Sequence, residues 1–222
     1  MAVKDNMVKS PPKGNVRFSI SLSPEQKKAK TQILKHPYNF VVGKAGSGKT
    51  LLAVQVALDQ FFKKQYNKII ITRPTISTED NGFLPGSERE KMEPWLVPIR
   101  SNMRKVYNKP LILEKMEKSE QIELVSLAHF RGRTFDNAVV IVDEFQNLSR
   151  SQLAMAIGRL GKDSKMIFCG DSYQLDLKDK NWSAYHDMAK LTNSKYVFKT
   201  VLEDSHRHDA IDDLLELLNG YH

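Results

Sequence analysis

The sequence predicts an α/β fold, a mostly parallel central sheet flanked by helices. Three observations point to it. Short apolar, β-branched runs at 38–42, 68–72, 122–126, 138–143, 165–169 and 195–199 alternate with helical stretches. Several of these runs, such as Val139, Val140, Ile141 and Val142, are apolar at consecutive positions, the pattern of a strand buried on both faces. Residues 43–50 read Gly-Lys-Ala-Gly-Ser-Gly-Lys-Thr, a complete GxxxxGKT phosphate loop placed between an apolar strand-like run and a helix-like run.

The elements follow in order. Residues 1–17 are rich in Lys, Pro and Asn and poor in large apolar side chains. Such a segment buries too little to offset its ordering entropy, so a flexible basic arm is expected over 1–20 ahead of one domain at 21–222. Ser23, Pro24 and Gln26 form a helix-start signature, with Ser23 as N-cap, Pro24 in the first turn and Gln26 completing a capping box. That helix is predicted to run to about His36 and stop before Pro37. The βα alternation breaks at about 73–120, where Pro74, Pro85, Gly86, Pro94 and Pro98 surround the charged run 87–91. An excursion of loops and short helices over the sheet edge is expected there, serving nucleic-acid or subunit contact. Arg73, Phe83, Arg89, Trp95 and Arg100 suit phosphate contact and base stacking, although Phe83 and Trp95 suit a core equally well.

Composition narrows the class. A chain of 222 residues with 41% apolar content can bury one core of ordinary domain size. A formal charge of +8 favours a polyanionic partner such as nucleic acid. One cysteine, Cys169 in the apolar run 166–169, excludes a disulfide framework or cysteine metal site and implies a reducing, cytoplasmic setting. There is no apolar signal-like start and no apolar run of spanning length, so nothing directs the chain to a membrane.

The phosphate loop carries the chemistry. Its glycines let successive backbone N–H groups turn around the phosphates of a nucleotide, with the positive end of the next helix behind them. Gly43, Lys44, Ala45, Gly46, Ser47, Gly48, Lys49, Thr50 and Leu51 form this cradle; Lys49 reaches the phosphates and the Thr50 hydroxyl holds Mg²⁺. Asp143 and Glu144 end a buried strand, where α/β sheets place their ligand crevice. Asp143 suits the Mg²⁺ shell and Glu144 the attacking water, because phosphoryl transfer depends on positioning and charge. The strand at 165–169 leads into Gly170, Asp171 and onward to Gln174, suited to sensing the γ-phosphate; a plain turn after a strand is the alternative. His206 and His208 invite a metal reading that no cluster at ligand spacing supports.

These segments resemble the PhoH family. The resemblance rests on the loop at 43–50, Ile-Thr-Arg-Pro at 71–74, Gly-Phe-Leu-Pro-Gly at 82–86, Glu-Lys at 90–91 and Arg-Gly-Arg-Thr-Phe at 131–135. It continues in Asp-Glu-Phe-Gln-Asn at 143–147, Gly-Arg-Leu-Gly at 158–161, Gly-Asp-Ser-Tyr-Gln-Leu-Asp-Leu at 170–177 and Arg-His at 207–208, spanning about 23–221. It implies a RecA-like fold similar to the first motor domain of superfamily 1 helicases, ATP binding and hydrolysis, ring-like oligomers such as a hexamer, and RNA or DNA remodelling. It also implies an adenine contact for Gln26, which competes with the capping box. Lys44 and Phe145 depart from the small residues usual in the family, and the stretch from Asn181 to Ala184 departs from its usual loop. The short basic arm resembles compact phage-type versions.

One motor domain supplies no second half to place an arginine on the γ-phosphate, so a homo-oligomer with shared sites is the expected solution. Arg207 matches the family's terminal Arg-His and leads the candidates, ahead of Arg159, Arg133 and Arg131. The functions in competition are an ATP-driven oligomeric remodeller or helicase acting on RNA or single-stranded DNA, an ATP-gated nucleic-acid switch, and a small-molecule kinase.

Overall fold

Six strands form one sheet in the computed structural model, which describes residues 16–74, 88–171 and 183–204 and positions 210, 214 and 217, the side chains of 88–93 and 95 excepted. They are β1 (Tyr38–Gly43), β2 (Lys68–Thr72), β3 (Ile122–Leu124), β4 (Ala138–Asp143), β5 (Lys165–Gly170) and β6 (Val197–Leu202). Their order is β3-β2-β4-β5-β1-β6, and every neighbouring pair is parallel. β2 and β4 have the limits expected from the sequence. β3 stops early because the chain turns behind Ser126 into a single 3₁₀ turn, Leu127–Phe130. β6 begins later than expected, since Lys195 and Tyr196 form the turn before it, with the Lys195 ammonium 5.1 Å above the Tyr196 ring.

Side chains alternate between two cores. Val41, Ile69, Ile71, Ile122, Val139, Ile141 and Ile167 face α1 (Pro24–Lys35), α2 (Lys49–Phe62), α3 (Glu88–Val106) and α4 (Pro110–Lys118). On the opposite face Phe40, Val42, Ile70, Val140, Val142 and Phe168 meet α5 (Arg150–Ile157) and α6 (Tyr185–Leu191). Phe40 and Phe168 stack at 4.7 Å, and Phe145 meets Phe40 edge-on at 5.1 Å. α2 is buried around its whole circumference from Leu52 to Phe62 because α1, α3 and the incoming chain enclose it. Its buried Asp59 is answered by Lys30 at 2.7 Å and Lys63 at 3.1 Å.

Two expectations are corrected. The flexible arm does not extend to residue 20: Val16, Phe18, Ile20 and Leu22 pack against the core, Ser19 N–H donates to the Val106 carbonyl at 2.9 Å, and Gln55 Nε2 donates to that of Ile20 at 3.3 Å. Apolar residues at every second position bury one side of an extended segment, which offsets its ordering cost. Residues 1–15 lie outside the described residues. The excursion is helical as expected, with the short α4 at its end, but its first described helix is not short: α3 is one helix of 19 residues containing both Pro94 and Pro98, and 75–87 lie outside the described residues. Each internal proline costs about 3 kcal/mol. Buried Leu96, Ile99, Met103 and Val106 recur at helical spacing, and each contributes roughly 1.5–3 kcal/mol, enough to hold the helix while the prolines stay exposed. No helix among the described residues is long and apolar enough to cross a membrane.

Candidate active site

β4, β5 and β1 are adjacent, so their carboxyl ends bring the phosphate loop, Asp143 with Glu144, and Gly170 with Asp171 to one crevice. The loop itself depends on glycine. Gly46 and Gly48 have φ of 86° and 80°, and Gly48 caps α2 without a side chain, leaving the first N–H groups of that helix directed to a ligand. A Cβ on Gly43 would lie 2.2 Å from the Leu202 carbonyl oxygen, so the closeness of β6 requires glycine there. Ser47 is buried and its Oγ has no hydrogen-bond partner among the described residues, an orphan oxygen inside the cradle. The Lys49 ammonium donates to the carbonyls of Gly43 at 2.7 Å and Lys44 at 2.8 Å, closing the loop on itself. Lys44 is exposed; Ala45 and Leu51 are partly buried, Leu51 against the α2-side core.

Gln26 makes the capping box expected of it, its side chain accepting from Ser23 N–H at 3.1 Å while Ser23 Oγ accepts from Gln26 N–H at 3.2 Å. It also reaches the loop, donating from Nε2 to the Ser47 carbonyl at 3.2 Å.

Thr50 and Asp143 are 93 residues apart in sequence, yet Thr50 Oγ1 donates to Asp143 Oδ1 at 2.8 Å. Burial, then the neighbouring Glu144 charge, pushes the Asp143 carboxyl up to about 6, against the Thr50 hydrogen bond and the charges of Arg73 and Lys49. A hydroxyl and a carboxylate beside a phosphate cradle are the hard oxygen donors that suit Mg²⁺ with a nucleotide. The next residue, Glu144, has a left-handed backbone, φ 53° and ψ 42°, a conformation costing on the order of 1–3 kcal/mol in a non-glycine residue. Its side chain is held twice: Oε2 accepts from Gln146 Nε2 at 2.7 Å, and Oε1 lies 3.5 Å from Arg73 Nη2. Gln146 extends the network, its Oε1 accepting from Asp171 N–H at 3.2 Å and its carbonyl from Ser183 Oγ at 2.5 Å. A Cβ on Gly170 would meet the Phe145 ring at 2.5 Å and Gln146 Oε1 at 2.7 Å, so this junction also requires glycine. Cys169, under the site, is buried, and burial pushes its thiol well above the ordinary range.

Of the residues singled out from the sequence, Lys49, Thr50, Asp143 and Glu144 converge here. Gln174, Arg207, His206, His208, Phe83, Asn181 and Trp182 lie outside the described residues, as do the side chains of Arg89 and Trp95. Arg73, expected on a nucleic-acid surface, instead faces Glu144. Arg100 pairs with Glu117 at 3.1 Å. Arg133 pairs with Glu123 at 2.7 Å and lies over the Phe135 ring, Arg159 donates to the Arg133 carbonyl at 3.5 Å, and Arg131 is exposed. The roles of Arg73 and Gln146 at the site were not read from the sequence. Their signal was proximity in motif, Arg73 directly after β2 and Gln146 two residues past Glu144.

Residues 20–219 match the family described as PhoH-like protein. The PhoH-like protein of Mycobacterium leprae is 34% identical over 186 residues, which cover 82% of this chain and 53% of that one. That of Synechocystis is 42% identical over 146 residues, covering 65% and 44%. That of Bacillus subtilis is 44% identical over 139 residues, covering 62% and 43%. The chain thus spans about half the length of the curated relatives it matches. Among solved structures, Pif1 helicase from Candida albicans aligns with a TM-score of 0.51 at 18% identity, over 90% of this chain and 44% of that one. The large terminase of a thermophilic bacteriophage aligns at 0.52 and 13%, over 89% and 50%. At such identities the likeness is one of fold, a RecA-like sheet of the P-loop NTPase type. A phosphate loop seated on that sheet, within a family match that runs nearly end to end, makes this chain a member of the PhoH-like protein family.

Proposed function

We propose that the chain binds ATP with Mg²⁺ and hydrolyses it, acting as a homo-oligomeric ring, such as a hexamer, that remodels RNA or single-stranded DNA. The observation that carries the reading is the Thr50–Asp143 hydrogen bond, which joins the start of the phosphate-loop helix to the end of β4. Lys49 leaves the carbonyls of Gly43 and Lys44 for the phosphates, while the Gly46–Gly48 backbone and the Ser47 hydroxyl line the cradle. Thr50 and Asp143 hold the metal, which when bound neutralises charge developing on the phosphate oxygens. Glu144 orients and polarises the attacking water, with Gln174 sensing the γ-phosphate. Arg207 of a neighbouring copy completes the site, and the ATPase domain begins with the packed segment at Val16 rather than at residue 21. The net charge of +8 supports a nucleic-acid partner.

The test is Mg²⁺-dependent phosphate release from ATP, with and without single-stranded RNA and DNA. Lys49→Ala and Glu144→Gln are each expected to lose about 100-fold or more in turnover; normal turnover in Glu144→Gln removes it from the role of base. One observation favours an ATP-gated switch as the second reading: Arg73 and Gln146 both hold the Glu144 carboxylate. Tight ATP binding with negligible turnover, relieved in Arg73→Ala, is its signature.

A further inference from the structure

Gln26 occupies the place where a base-reading glutamine is expected, but both ends of its amide are committed within the protein. Oε1 accepts from Ser23 N–H at 3.1 Å, Nε2 donates to the Ser47 carbonyl at 3.2 Å, and the residue is 6% exposed. Turning the amide toward a base would uncap α1 and release a buried carbonyl at once.

What the second bond does follows from peptide geometry. The Ser47–Gly48 peptide ends on a glycine in the left-handed conformation, φ 80° and ψ 21°, so on that side the backbone imposes little preference of its own. A trans peptide is planar, with its C=O and N–H on opposite sides. Holding the Ser47 carbonyl at Gln26 therefore directs the Gly48 N–H the other way, into the cradle. The anchor is itself fixed: the neighbouring Glu25 carboxylate accepts from Glu203 N–H at 2.8 Å and Asp204 N–H at 3.4 Å, tying the first turn of α1 to the end of β6.

We infer that Gln26 is a positioning residue of the phosphate loop, aiming the Gly48 N–H at the phosphates and so supporting every nucleoside triphosphate alike, whatever its base. The inference rests on the loop being a nucleotide site. Binding of ATP, GTP and Mg-tripolyphosphate is measured by calorimetry for the wild type, Gln26→Glu, which keeps the cap acceptor but loses the donor, Gln26→Met, which loses both without adding charge, and Ser23→Ala, which weakens the cap alone. Both Gln26 variants are expected to weaken all three ligands by a common factor of about ten, with amide exchange accelerated at 46–48, while Ser23→Ala lowers stability and leaves affinity unchanged. Loss confined to ATP makes Gln26 a base reader and overturns the inference, as does unchanged affinity in both variants or a loss in Ser23→Ala equal to theirs. A wild type that binds none of the three ligands overturns the nucleotide reading itself, a result distinct from any change among variants.

Discussion

Lys165 shows how a single buried charge sets a pH dependence. Its ammonium donates to the carbonyls of Leu34 and His36, capping the negative end of α1, and burial pushes it down to about 8. The unfolded chain holds that proton up to its ordinary value of about 10.4, so between about 8 and 10.4 unfolding takes up a proton and the folded state gains stability as pH rises. Below about 8 both states are charged and the burial cost is constant. Lys165→Met removes the effect. Urea unfolding at pH 7.5 and pH 10 is expected to show the wild type gaining on the variant at the higher pH, and a difference independent of pH would refute the assignment. Such pairings are illegible in sequence, as are Arg73 with Glu144 and Gln146 with Asp171, because each joins segments far apart in the chain that only the folded sheet and its helices bring together. Lys49, Thr50, Asp143 and Glu144 were legible because their residue types and spacing are dictated by phosphate and metal chemistry.

At the scale of elements, α3 is the most informative. Pro94 and Pro98 conceal it from a reading based on helix breakers, while the stripe of Leu96, Ile99, Met103 and Val106 was present throughout. Packing on α2 overrides local propensity. An exposed proline inside a helix held by tertiary contacts is a site of stored cost, so Pro98→Ala is expected to stabilise the protein by about 1–2 kcal/mol, after allowing for the freer unfolded chain. Chemical denaturation checks it, and a loss of stability would mean that the proline supplies packing of its own. β2 and β4 were readable to the residue since both are apolar on both faces. β6 was not, because it is an edge strand whose outer positions, Lys199 and Val201, stay exposed.

At the scale of the molecule, the proposed shared site makes a prediction that no single chain can satisfy. Lys49→Ala spoils the loop of its own copy, whereas Arg207→Ala spoils the site of a neighbour. Mixed in equal amounts and allowed to reassemble, the two inactive variants are expected to recover roughly a quarter of wild-type ATPase activity, the fraction of interfaces that pair an intact loop with an intact arginine. Absence of recovery would place the arginine in the same chain as its loop, or elsewhere altogether. The fold class and the convergence of the loop with Asp143 and Glu144 were legible because alternating apolar runs fix a parallel sheet and parallel sheets fix their crevice.

The strand order carries a consequence for synthesis. β1, which ends in the phosphate loop, is the first made of the six described strands, but its two neighbours in the sheet are β5 and β6, the last two of the six. β2, β3 and β4 pair among themselves as they leave the ribosome, while Phe40, Val41 and Val42 wait without a strand on either side. The crevice cannot close until residues 165–170 have emerged, so the candidate active site forms only after the fifth of the six described strands is made, and β1 stays an open edge for chaperones or for a misplaced partner until then.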